Sequence, residues 1–195
     1  MAYGLKYTIP FSTYDGENAV IKIEKKDYTG GEIELQAGSS PMTIEIKGED
    51  FIYAPTRFST AKICIVGSDY LQELYSTSYQ EYRVTLYVSD KIRWCGFIKP
   101  EVYTQDYSSE TFELEIECMS ALSTLEYIDY TKKGDSYQFV TLSYLIEKCI
   151  TEANALYDGV VMPYVYSTSK ETYDAGVLNV LSTMSVSEQD FFDED

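Results

Sequence analysis

Histidine is absent from this 195-residue chain. That one absence removes a Ser-His-Asp triad, a Cys-His dyad and any imidazole metal ligand. Arginine is nearly absent too: Arg57, Arg83 and Arg93 are the whole complement, and 15 basic groups face 32 acidic ones, a formal charge of −17. Affinity for phosphate comes mostly from Lys and Arg, so the balance argues against a nucleic-acid partner and against an anionic membrane surface. No window approaches eighteen consecutive apolar residues, so no transmembrane helix is expected. The opening stretch to Pro10 has one Lys and no long apolar run, which does not read as a signal peptide. The four cysteines, Cys64, Cys95, Cys118 and Cys149, contain no CxxC spacing and sit among apolar residues. They read as reduced core residues of a protein made in the cytoplasm.

What is present is a chain 45% hydrophobic, long enough for one ordinary domain or one and a half. From residue 4 to about 118 its dominant pattern is strict alternation. Met42, Ile44 and Ile46 share one face; Tyr82, Val84, Leu86 and Val88 share another; Phe112, Leu114, Ile116 and Cys118 alternate with Glu113, Glu115 and Glu117. Strand side chains point to opposite faces with period 2, so each run predicts a half-buried antiparallel strand. Ile21 with Ile23, and Ile33 with Leu35, behave alike. Turn signals separate the runs at Asp15-Gly16, Gly30-Gly31 and Ser89-Asp90. Eight or nine strands are expected, at about 4–11, 19–25, 32–36, 42–47, 51–54, 60–66, 81–88, 91–98 and 111–118. Many short strands with no long helix between them predict an antiparallel barrel or sandwich over residues 1–130.

After residue 118 the period changes. Residues 120–125 predict a short helix capped by Ser120. Leu142, Leu145, Ile146, Cys149 and Ile150 fall at helical spacing, which predicts a helix over 141–154 with Thr141 as N-cap. A strand at 159–166 would lie at an edge, because Pro163 cannot donate to a ladder. The fold class is therefore mainly β with a smaller α/β C-terminal part. Residues 131–195 form a helix-containing segment that reads as the start of an incomplete second domain. Its ending sets Phe191 and Phe192 among five acids in eight residues, an aromatic pair that a solvated tail seldom keeps.

Candidate chemistry is thin. The acids that can be placed alternate with apolar strand residues and so belong to the wet face, which disfavours a glycosidase pair. Tyr14-Asp15-Gly16-Glu17-Asn18 offers oxygens but not the spacing of a calcium loop, and Gly30-Gly31 and Gly67 have no phosphate-cradle context. Cys95, between Trp94 and Gly96, has no partner base of the kind a nucleophile needs, and core packing explains it. No catalytic residue, cofactor or metal is expected, and the chain does not read as an enzyme.

Tyrosine is the informative excess, with 20 residues. Tyr suits surfaces that are apolar in body and wet at the tip, and it is enriched where proteins meet proteins; it is also simply a good strand former. Tyr87 lies opposite the expected core face, and Tyr70, Tyr75, Tyr79, Tyr103 and Tyr107 crowd connecting segments.

One stretch carries a resemblance. Trp94-x-Gly96-Phe97-Ile98 with Tyr103, then the returning strand to Cys118 and the short helix Ala121-Leu122-Ser123-Thr124-Leu125, resembles the first barrel domain of phage tail-hub and baseplate proteins. It looks especially like prophage tail proteins of gut Bacteroides-type bacteria. The likeness covers 1–130 by architecture and 81–125 by motif. It implies a structural role in a virion tail assembled in the host bacterial cytoplasm, a homo-oligomeric ring (trimer or hexamer), and contacts with other tail proteins. Trp94, Phe97, Tyr103 and Tyr107 would be the interface residues, although a lone strand Trp ordinarily packs in a core. The alternative from a different class is a carbohydrate-binding or adhesin-type β-module, for which a shallow groove lined by Tyr with adjacent acids would speak.

Overall fold

The computed structural model of the chain describes residues 2–46, 58–68, 71–100, 112–157 and 184–191. Two compact units emerge. One comprises Met1–Tyr127 with Asn154–Asp158, the other Ile128–Ala153 with Gly159–Asp195.

The first unit is mainly β. Its strands are β1 (Tyr3–Ser12), β2 (Asn18–Lys26), β3 (Ile33–Glu34), β4 (Gln36–Ile46), β5 (Ser59–Gly67), β6 (Tyr82–Val88), β7 (Lys91–Ile98) and β8 (Phe112–Ser120). They form one eight-stranded sheet in the order β3-β1-β2-β6-β7-β8-β5-β4. All pairings are antiparallel except β1 with β3. The two ends of this order are consecutive pieces of chain. Only Leu35 separates β3 from β4, and its N–H donates to the Thr8 carbonyl at 2.8 Å. No ladder joins β4 back to β1 among the described residues, so the sheet is curled but not closed.

Period-2 alternation builds the core. Ile9, Ile21, Leu86 and Trp94 face each other across β1, β2, β6 and β7. Ile63 and Ile116 do so across β5 and β8. All belong to one buried apolar cluster, which draws on both ends of the sheet. Ile9, Ile21, Ile23, Ile63 and Val84 are each 0% exposed. Burying a side chain of that size contributes roughly 1.5–3 kcal/mol. The predicted strand at 51–54 lies outside the described residues.

Met42, Ile44 and Ile46 depart from the expected half-buried face. Met42 packs against the cluster, but Ile44 is 37% and Ile46 64% exposed. Their row points inward, opposite Ala61 and Ser59. Over this stretch β4 is the last strand of the sheet, so among the described residues no further strand pairs with its far side. Ile33, on the two-residue β3, is exposed for the same reason.

Two local devices shape the unit. The β1–β2 register shifts between Leu5 and Tyr7, which leaves Lys6 as the extra residue of a bulge. A bulge re-aims side chains, and here Lys6 and Tyr7 are both buried. The Lys6 ammonium reaches Glu73 Oε2 at 2.5 Å, and the Tyr7 hydroxyl donates to Glu73 Oε1. Glu73 lies in a 3-10 turn (Gln72–Leu74) whose flank and end put Leu71 and Leu74 into the core. At Gly96, an added Cβ would stand 2.1 Å from the Met119 carbonyl oxygen and 2.3 Å from the Trp94 ring. Glycine lets the indole and the β8 backbone meet there.

The outer face of β6, β7 and β8 is covered as well. Thr85 and Phe97 are 0% exposed. Tyr3 packs 6.1 Å from Phe97, and Arg83 lies 4.3 Å from the Tyr3 ring while pairing with Glu24 at 2.9 Å. Gln80 ties the layer together: its amide donates to Thr124 Oγ1, its side-chain oxygen accepts from Asn154, and its carbonyl accepts from Tyr3. Burial pushes the Tyr3 phenol up to about 12. The predicted helix after Ser120 is a 3-10 helix, Ala121–Tyr127.

In the second unit, β9 (Phe139–Thr141) pairs antiparallel with β10 (Ser185–Ser187), and α1 (Leu142–Glu152) follows β9 directly. Thr141 caps the helix as expected, its Oγ1 accepting from the Tyr144 N–H at 3.2 Å. Glu188 is fully buried. It accepts hydrogen bonds from the Tyr130 hydroxyl and the Lys133 and Gln138 N–H groups, at 2.7, 2.7 and 3.0 Å. Burial pushes its carboxyl up, but these three donors outweigh it and hold the group below the ordinary range. The expected strand at 159–166 lies outside the described residues.

Three outcomes follow from this architecture. Gly96→Ala overpacks the Trp94 contact and lowers the stability of the first unit by about 1–3 kcal/mol, read by urea unfolding through Trp94, the chain's one tryptophan. Glu73 is held below its usual carboxylate range by hydrogen bonds from Lys6 and then Tyr7. A depressed folded value means its contribution is present above the unfolded value of about 4.3 and is lost as pH falls through the folded one. Glu73→Gln therefore gives a shallower acid limb in the Trp94-monitored stability profile, with the alkaline side unchanged. Glu188→Ala speeds hydrogen exchange at the Lys133 and Gln138 amides by about tenfold or more through local opening, while core amides of β2 and β6 keep their protection.

Candidate functional site

Of the aromatic residues expected at an interface, the two among the described residues, Trp94 and Phe97, face opposite sides of the sheet. Trp94 is 8% exposed, its indole N–H donating to Ser59 Oγ at 2.9 Å, and its ring belongs to the central cluster. Phe97 points to the opposite face but is buried beneath Tyr3. Both side chains are thus buried in the folded chain, where exposed aromatics were expected. Trp94 is covered by the inner core, and Phe97 by the layer around Tyr3 and Gln80, formed by residues distant in sequence. Tyr103 and Tyr107 lie outside the described residues.

Much of the tyrosine serves as aromatic faces for cations. The Lys6 ammonium lies 5.5, 5.2 and 6.0 Å from the ring centroids of Tyr7, Tyr28 and Tyr82. Lys25 lies 5.1 Å from Tyr82, and Lys22 lies 4.7 Å from Tyr87. A cation over an aromatic face gains roughly 0.5–2 kcal/mol, more when desolvated.

The titratable groups are tuned for packing. Burial pushes the Cys95 and Cys118 thiols up, away from the reactive thiolate. The carboxylates that shift, Glu73, Glu117 and Glu188, all shift down; at Glu117 the first cause is the hydrogen bond from Lys99. A general acid needs the opposite shift. Among the described residues no three His, Cys, Asp or Glu side chains stand together as a metal set, and no helix is long and apolar enough to cross a membrane.

Two exposed features remain in the first unit. The first is apolar. Ile44 and Ile46 on β4 stand uncovered, and Phe58, just before β5, is 42% exposed. Since Ile46 pairs with Ser59, Phe58 lies at the same end of the same strand pair. On the 3-10 helix after β8, Leu122 is 36% exposed and Tyr127 49%, and Tyr127 stacks on Tyr79 at 3.7 Å between centroids.

The second is a shallow groove of about 690 Å³ at the tips of the β1–β2 and β6–β7 hairpins. Pro10, Val20 and Tyr87, side by side in one outer row, supply its apolar lining; Asn18, Ser89 and Asp90 supply polar groups. Its frame is fixed by hydrogen bonds. The β1–β2 turn is pinned by Thr13 N–H to Glu17 O and Gly16 N–H to Thr13 O, both 2.9 Å. The Ser89 N–H donates to the Asn18 carbonyl at 2.9 Å and ties one hairpin tip to the other. Ser89 and Asp90 both have positive φ, 49° and 62°, the backbone of a tight primed turn.

No family model matches this chain, and no curated protein or solved structure matches it either.

The thiols give a direct check on this site chemistry. Cys149 is exposed, whereas Cys64 and Cys118 are buried and Cys95 is largely covered. Titration of the native protein with a chromogenic disulfide reagent shows one fast thiol per chain, and Cys149→Ser abolishes that phase.

Proposed function

We propose that this chain is a structural subunit of a phage or phage-derived tail, joined to copies of itself and to other tail proteins by protein–protein contacts. The observation that carries the reading is the uncovered apolar end of β4. An edge strand with exposed Ile44 and Ile46, beside an exposed Phe58, is a liability for a lone molecule. A partner surface turns the same feature into an interface core, where apolar and aromatic groups concentrate and charge is scarce. The curled sheet fits a sandwich, and a strand supplied along β4 would extend it toward the closed form expected from the resemblance. The formal charge of −17 keeps free subunits apart until a specific contact forms. The downward carboxylate shifts and the raised thiols support a role without catalysis, and the proposed setting is the virion tail, after assembly in a bacterial cytoplasm.

Light scattering of the pure protein at increasing concentration tests this reading. A discrete trimer or hexamer is expected, with Ile44→Lys plus Ile46→Lys returning it to monomer while Trp94 fluorescence stays native. A wild-type chain that remains monomeric at high concentration counts against the proposal. So does an oligomer that the paired substitution leaves intact.

A further inference from the structure

We propose that the groove at the two hairpin tips is a binding site for a neutral saccharide. This goes beyond the assembly reading and does not rest on it, since the groove shares no residue with the β4 edge.

The lining selects the ligand class. Among the described residues that line the groove, Asp90 is the one with a charged side chain. A single carboxylate on a chain of charge −17 repels anions, and one carboxylate is too little to hold a cation. That leaves a neutral ligand. The ligand must also offer both an apolar face and dense polar edges. Pro10, Val20 and Tyr87, neighbours in one outer row of the sheet, present carbon surface, while Asn18, Ser89 and Asp90 present an amide, a hydroxyl and a carboxylate. A pyranose has this dual character. Its C–H face packs on an aromatic ring, and its neighbouring hydroxyls donate to a carboxylate and exchange hydrogen bonds with an amide. The volume, about 690 Å³, lies within the ordinary range for small-ligand sites of roughly 300–1,000 Å³.

Geometry supports a built site. The groove floor is sheet: Val20 pairs with Tyr87, which fixes the side-by-side placement of the two in the outer row. The wall is the two-residue turn between β6 and β7, Ser89 at φ 49° and Asp90 at φ 62°, the positive values that a primed hairpin turn requires at both central positions. The Ser89 N–H bond to the Asn18 carbonyl fixes that turn against β2. The Lys22 ammonium rests 4.7 Å from the Tyr87 ring centroid and steadies the ring. Tyr14 stands fully in water on the pinned turn between Ser12 and Asn18, where a longer oligosaccharide leaving the groove would meet it.

The test uses the full chain on an array of neutral glucan, mannan, galactan and N-acetylglucosamine hexasaccharides, with sialylated and sulfated glycans as charged comparators. The expected result is saturable binding to a neutral glycan, with NMR shifts confined to amides near Asn18, Tyr87 and Asp90. Tyr87→Ala should weaken that binding about tenfold or more, the loss expected when a ligand's main packing or hydrogen-bond partner is removed. Asp90→Gly gives a second arm that keeps the turn, because glycine accepts positive φ without strain, and it should weaken binding comparably. Ile44→Lys plus Ile46→Lys should leave the titration unchanged, so failure of the assembly reading and failure of this one are separable. The proposal is overturned by absence of saturable binding to any neutral glycan, by preference for the charged comparators, or by affinity that survives both groove substitutions.

Discussion

One bulged lysine organises the first unit. Without the extra residue in β1, Lys6 and Tyr7 would point to opposite faces of the sheet. With it, both are buried and both meet Glu73. The 3-10 turn carrying Glu73 is only three residues long and has no ladder of its own. It is held by that ionic contact and by Leu71 and Leu74 in the core. A buried ammonium is costly unless its charge is matched and its remaining surroundings are polarisable. Glu73 supplies the match, and the rings of Tyr7, Tyr28 and Tyr82 supply the surroundings. Lys6 thus connects the hairpin β1–β2, strand β6 and the turn at 72–74.

This arrangement changes how the tyrosine content is understood. In a chain with 32 acids and 15 bases, acids are available to every cation. Even so, Lys6, Lys25 and Arg83, each paired with a glutamate, lie over a tyrosine ring as well. The ring excludes water from one side of the cation and strengthens the ion pair on the other, as with Arg83 between Tyr3 and Glu24. Tyrosine count alone therefore overstates the aromatic surface left for partners. Among the described residues of the first unit, the exposed apolar groups near β4 are Ile44 and Ile46 with Phe58, and the groove is mixed.

The strands were legible because period 2 is a local property. Runs such as Phe112 to Cys118 announce both a strand and its buried face, and the glutamates between them lie on the opposite face. The helix with its Thr141 cap was legible for the same reason, since cap and apolar stripe lie within a few residues. The features that escaped are non-local. Alternation says that Trp94 and Phe97 face opposite ways but not that residues 121–127 and 154 cover the second face. No pattern marks Lys6 as bulged, because the bulge depends on the partner strand's register. β9 and β10 are three residues each and lie about forty-five apart in sequence, too short to show a period. Glu188 looked like part of an acidic tail; its burial depends on Tyr130 and two backbone N–H groups some fifty residues upstream. Of the candidate site, the Ser89-Asp90 turn was visible in sequence, but its proximity to Asn18 was not.

The two exposed features differ in kind, and that difference bears on function. At β4 the uncovered groups are aliphatic and sit on a strand that, among the described residues, has a ladder on one side only, which leaves an edge of backbone N–H and C=O groups. Such a surface is satisfied by another strand, because only a strand meets both the side chains and the ladder. At the hairpin tips β1 pairs with β2 out to Ser12 and β2 with β6 out to Val88, and the bond from Ser89 to Asn18 ties the tips together. The groove floor between them is backbone already satisfied, so what it offers is side chains, which suits a compact ligand with its own hydroxyls. One sheet can therefore present an edge suited to a protein neighbour and a groove suited to a small polar molecule. The two proposed uses do not compete, because one would depend on open backbone and the other on backbone already satisfied.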